Sequence, residues 1–128
     1  MHRACFLVVT ALVEALAGLG LLLLPSLCFM LLLGVSSAAP EAIFIGRLTG
    51  TALLAIGVTC WAARRSEPNP AQLGLLIGVL IYDVGAAVLL AYAGLLLSLV
   101  GDLLWPAVVL HTALASWCVV CLRSRAGQ

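Results

Sequence analysis

The chain has 128 residues, 65% of them apolar and 9% charged, with a formal charge of +1. A soluble domain carries about 25% charged residues, so this composition cannot clothe a solvated surface and puts nearly the whole chain in lipid. Every basic residue is an arginine: the lack of lysine excludes a Schiff-base cofactor, and no basic stripe interleaved with aromatics offers a footprint for nucleic acid.

Crossing the hydrocarbon of a bilayer takes about 20 apolar residues in a helix. In chain order, four stretches qualify: about Ala4 to Leu24, Ala42 to Ala63, Ala71 to Ala93 and Leu103 to Leu122. Arg3 ahead of an apolar run resembles a signal peptide, but Glu14 interrupts the run and it continues to Leu24, so a retained first helix is expected. Residues 26–34 remain apolar, too short to cross again, and fit an interfacial segment. Pro40-Glu41, Pro68-Asn69-Pro70 and Gly101-Asp102 punctuate the remaining gaps. The sequence therefore predicts an all-α, integral membrane four-helix bundle forming one transmembrane domain, with the lipid bilayer as its first partner.

Arg3, Arg64, Arg65, Arg123 and Arg125 fall on one side of this topology, and Glu41 and Asp102 on the other. Basic residues stay with the cytoplasm, so both termini are expected there, in a plasma (inner) membrane. Trp61, Trp105 and Trp117 lie near span ends, where aromatic rings favour the interface.

Four ionisable residues fall inside the spans: Glu14, Arg47, Asp83 and His111. Each costs about 2.5 to 3.5 kcal/mol to insert at a helix centre, so each requires a reason. At about 1.5 Å per residue, Glu14, Asp83 and His111 come to one depth, with Arg47 roughly two turns farther out and able to reach down to them or snorkel up. Residues four apart share a helix face, which gives the stripes Thr10, Glu14, Gly18; Arg47, Thr51, Ala55; Asp83, Ala87; and Ala107, His111, Ala115. Small residues allow close helix approach, so these stripes are expected to face inward, with Gly46-xxx-Gly50, Gly74-xxx-Gly78 and Gly57 as further contact points. Two readings of the cluster stand side by side. Two acids, a guanidinium and an imidazole can neutralise one another as a structural network. Alternatively Glu14, Asp83 and His111 form a proton or solute site, with Arg47 as counter-charge.

The five cysteines separate, with Cys28 near the outer face and Cys5, Cys60, Cys118 and Cys121 near the cytoplasmic one. Cys118-x-x-Cys121 has redox spacing but lies at a helix C-terminal end, where the dipole disfavours a thiolate. The four inner thiols could hold Zn²⁺ or Cu⁺, or simply pack as small apolar side chains. No metal or other cofactor is expected from the pattern, and a single intramembrane His does not supply two axial haem ligands.

The run Thr10-Ala11-Leu12-Val13-Glu14 in the first helix resembles the small multidrug resistance transporters, in which the acid lies in an otherwise uncharged cavity. A longer likeness runs to small DoxX-like bacterial membrane proteins. It is carried by the first helix ending in Leu-Leu-Pro25, the short apolar segment to Gly34, and Gly46-Arg47-Leu-Thr-Gly50-Thr in the second helix. That resemblance implies a four-helix bundle and, in some members, a link to thiol and quinone oxidation. Three functions follow as expectations: an accessory or homo-oligomeric subunit without turnover of its own, within a larger membrane complex or alone; a small proton-linked transporter; and a thiol or soft-metal redox accessory protein.

Overall fold

The computed structural model describes residues 2–126, without the side chains of Arg125 and Ala126. The Arg125 side chain, expected on the cytoplasmic side, thus lies outside the described residues. Five helices follow one another: α1 (His2–Leu23), α2 (Pro25–Leu33), α3 (Pro40–Ala63), α4 (Pro70–Leu96) and α5 (Leu104–Ala126). Four of them, all but α2, are long and apolar enough to cross a bilayer, and no strand occurs among the described residues. The chain thus has the helices of a multi-pass membrane protein.

The breaks have local causes. Pro25, Pro40 and Pro70 each open a helix, a position where the missing N–H costs nothing and the fixed φ is already helical. At α4 the Asn69 side chain accepts a hydrogen bond from the Gln72 backbone N–H at 2.8 Å, satisfying one donor that the helix start leaves open. The segment after Pro25 is a separate nine-residue helix, closed by Gly34 at φ 73°. Its N–H donates to Met30 O at 3.0 Å, and that of Val35 to Phe29 O at 3.4 Å, a left-handed cap that glycine adopts without strain. The C-terminal end of α2 then docks on the turn between α4 and α5, where Leu103 N donates to Leu31 O at 2.8 Å.

The long helices pack as two antiparallel pairs, α1 with α3 and α4 with α5. Within the first pair the backbones meet. A Cβ on Gly50 would lie 2.6 Å from Gly18 O and 2.7 Å from Leu22 N, and one on Gly18 would lie 2.7 Å from Gly50 O. The inward face of α3 is therefore Gly46, Gly50, Leu53, Gly57 and Cys60. This corrects the expected stripe, since Arg47, Thr51 and Ala55 are all exposed. Gly74 and Gly78 are also exposed, with open space where a Cβ would go, so they are not contact points within this chain.

The two pairs join through side chains at the end of the bundle where α1 and α4 begin. Phe6, Leu7, Cys60, Leu76, Val79, Leu114, Cys118 and Cys121 form one buried apolar cluster there, with the Phe6 and Trp117 rings edge to face at 5.7 Å. Below it Gln72, 4% exposed, ties three segments together. Its Oε1 accepts from Arg3 Nη1 at 3.2 Å, and its Nε2 donates to Ala63 O at 3.2 Å and Ser66 O at 3.3 Å.

The glycine geometry predicts opposite outcomes for one chemical change. Gly50→Ala forces backbone against backbone and should cost about 1 to 3 kcal/mol. Gly78→Ala meets nothing and should stabilise by up to about 1 kcal/mol through helix propensity. Thermal unfolding of both variants in detergent reads the difference directly, and a Gly50→Ala protein as stable as wild type would contradict the close α1–α3 contact.

Candidate functional site

Helix α1 turns its glycine and alanine positions toward α3, which leaves Thr10 and Glu14 on the side that meets the second pair. Both are buried, at 0% and 1% exposure. From that pair α4 contributes Asp83, fully buried, and α5 contributes His111, half-buried. One candidate ligand atom from each of Glu14, Asp83 and His111 falls within 4.8 Å of the other two. Counting residues along the spans placed these three at one depth, and the fold brings their side chains together.

Asp83 and His111 form the only ion-pair geometry among the described residues, with Nδ1 and Oδ1 2.9 Å apart. With the proton on Nδ1 the imidazole donates to the carboxylate, which fixes the ring and leaves its other nitrogen available. The Tyr82 ring packs edge-on against His111, with centroids 5.5 Å apart at 85°, closing one side of the imidazole. Tyr82 also lies within electrostatic reach of Glu14, but the two do not meet hydrogen-bond geometry. Both Glu14 oxygens, Asp83 Oδ2 and Thr10 Oγ1 are buried without a hydrogen-bond partner. Such groups cost free energy unless a donor or a cation reaches them.

Arg47 is not that cation. Its side chain is exposed on the outer face of α3, one residue round from the buried Gly46, and it pairs with neither acid. Residues 46 and 47 differ by about 100° around a helix, and the requirement that α3 put its glycines against α1 decides which of the two points inward. The four-residue cluster of the sequence reading is therefore a cluster of three, and the mutual neutralisation it allowed is lost.

The thiols do not assemble into a second site. Cys5 is exposed, while Cys60, Cys118 and Cys121 are buried as members of the apolar cluster. The Cys118 thiol donates to Leu76 O at 3.2 Å. Glu14, Asp83 and His111 are the one group of three or more metal-ligating side chains among the described residues. Outside the spans, burial pushes the Cys28 thiol up, which leaves it a poor nucleophile. Gln72 was not singled out in the sequence. The signal was present in the polar residue two places after Pro70, at a helix start rather than mid-span.

These contacts set the energetic couplings. Asp83→Asn and His111→Gln should be non-additive by about 0.5 to 3 kcal/mol in a double-mutant cycle, as residues in direct contact are. Arg47→Leu should be no worse than the exposed Arg123→Leu and additive with Asp83→Asn. Chemical unfolding in mixed micelles gives all the terms, and strong coupling of Arg47 to Asp83 would put the guanidinium back in the site.

No family model, curated protein or solved structure matches the chain, so the DoxX-like resemblance rests on sequence layout alone and function is read from the Glu14, Asp83 and His111 site.

Proposed function

We propose that the chain is a small membrane transport protein that carries a cation through the Glu14, Asp83 and His111 site, with protons the simplest cargo. The observation that supports this reading is the set of three buried carboxylate oxygens without a partner. A structural network is expected to satisfy its own charges, and this one lacks the arginine that would do so. A site that receives and releases a cation keeps such oxygens open. Intramembrane acids that face the interior of a bundle commonly mark ion pathways and proton relays. The arginine distribution supports an orientation with both termini in the cytoplasm, and the proposed setting is a bacterial plasma membrane.

A second reading, an accessory or self-associating membrane subunit, is favoured by α4. Its membrane window is the least covered of the four long helices, and its Gly74 and Gly78 face open space. Small residues on a lipid-exposed face suit a neighbouring helix. Mass measurement in mild detergent distinguishes this reading: a larger species that dissociates in Gly78→Leu supports it, and a monomer removes it.

Flux in reconstituted liposomes tests the transport reading. With a pH-sensitive dye inside, wild-type vesicles should dissipate an imposed proton gradient, and the Glu14→Gln, Asp83→Asn double variant should do so at least about tenfold more slowly. Equal rates for the two proteins, or a wild-type rate no faster than empty vesicles, would overturn it.

A further inference from the structure

We infer that the same three residues bind one divalent transition-metal ion, of the Zn²⁺, Mn²⁺ or Fe²⁺ class. This rests on the cation reading above and names the ion that fits the site. Glu14 and Asp83 are 1% and 0% exposed, and three of their four oxygens have no hydrogen-bond partner. Both acids belong to the group in which one ligand atom from each of the three residues lies within 4.8 Å of the others. Two buried carboxylates can both be ionised in a surrounding of low dielectric only with a cation beside them, and among the described residues His111 is the one basic side chain paired with either. A doubly charged ion neutralises both at once and gives each carboxylate a partner.

The ligand types narrow the choice. Mg²⁺ and Ca²⁺ take oxygen ligands in sixfold or higher coordination, whereas an imidazole beside carboxylates suits Zn²⁺ and iron, with Mn²⁺ accepted on the oxygen side. Three protein ligands leave a coordination position open. That is the arrangement of a site whose ion exchanges partners, unlike the closed four-ligand shell of a structural zinc. Metal–ligand bonds of 2.0–2.2 Å bring tetrahedral ligand atoms to about 3.3 Å from one another, so the group must close by side-chain rotation. Glu14 can supply that movement, since no hydrogen bond has to break. The thiols compete poorly, because Cys60, Cys118 and Cys121 are held in the apolar cluster and Cys118 already donates to Leu76 O.

Co²⁺ is the probe, because oxygen and nitrogen ligands give it a visible d–d band while thiolates add an intense near-ultraviolet charge-transfer band. Titration of the purified full chain in detergent at fixed pH should reach one Co²⁺ per chain with the visible band alone. Zn²⁺ should displace it. Glu14→Gln and Asp83→Asn should each weaken binding at least about tenfold, while the Cys60→Ser, Cys118→Ser double variant should bind as wild type does. Circular dichroism of each variant checks the fold, and the wild-type titration decides the matter even if a carboxylate variant unfolds. A wild-type chain that binds no Co²⁺, a thiolate band, or binding unaltered in both folded carboxylate variants would overturn the inference. Proton flux in liposomes without Co²⁺ binding removes the metal assignment alone. Co²⁺ binding without flux removes the transport reading alone.

Discussion

The backbone contact between Gly18 and Gly50 sets the orientation of everything polar in this molecule. With a Cβ at either position the helices would have to separate, because the opposing atoms are main-chain oxygen and nitrogen. Once α1 presents Ala11, Ala15 and Gly18 to α3, geometry leaves Glu14 facing α4 and α5. The same contact turns Gly46 and Gly50 inward on α3 and carries Arg47 to the outside. A single steric requirement thus decides which charged residues meet.

Much of the architecture is legible in the residues. The four spans follow from apolar length, and the starts of α3 and α4 follow from Pro40 and Pro70, as that of the short α2 does from Pro25, since the role of proline at the first helical position is a matter of covalent geometry. The shared depth of Glu14, Asp83 and His111 follows from counting rises along straight helices. What could not be read was helix rotation. On α3 the positions Gly46, Gly50, Gly57 and Arg47, Thr51, Ala55 both look like stripes that permit close approach, and periodicity alone does not rank two faces of an apolar helix. The deciding signal was the longer run of buried positions at spacings of four and three, Gly46, Gly50, Leu53, Gly57, Cys60, which identifies a seam extending over most of the helix. The knot at Gln72 was hidden for a different reason. Its partner Arg3 is distant in sequence, and the carbonyls of Ala63 and Ser66 reach it only through the turn between α3 and α4.

The site also shows how little polarity a bundle this small can hide. With Arg47 on the outer face of α3, the interior keeps an imidazole–carboxylate pair and a carboxylate beside it. The apolar cluster of Phe6, Leu7, Leu76, Val79 and Leu114 packs on one side of these groups, without a donor to offer. The carboxylate oxygens left without a partner are open to a small donor or cation, which is the property that separates a binding site from a packing motif.

Helix pairing has a consequence for the order in which the protein assembles. Each pair is built from segments that follow closely in the chain, α1 and α3 bridged by α2, α4 and α5 by a short turn, and contacts of low sequence separation form fastest. The first pair can be complete before the second has formed. Glu14 belongs to the earlier pair, and Asp83 and His111 to the later one. The site therefore belongs to neither pair alone and exists only where the two pairs dock.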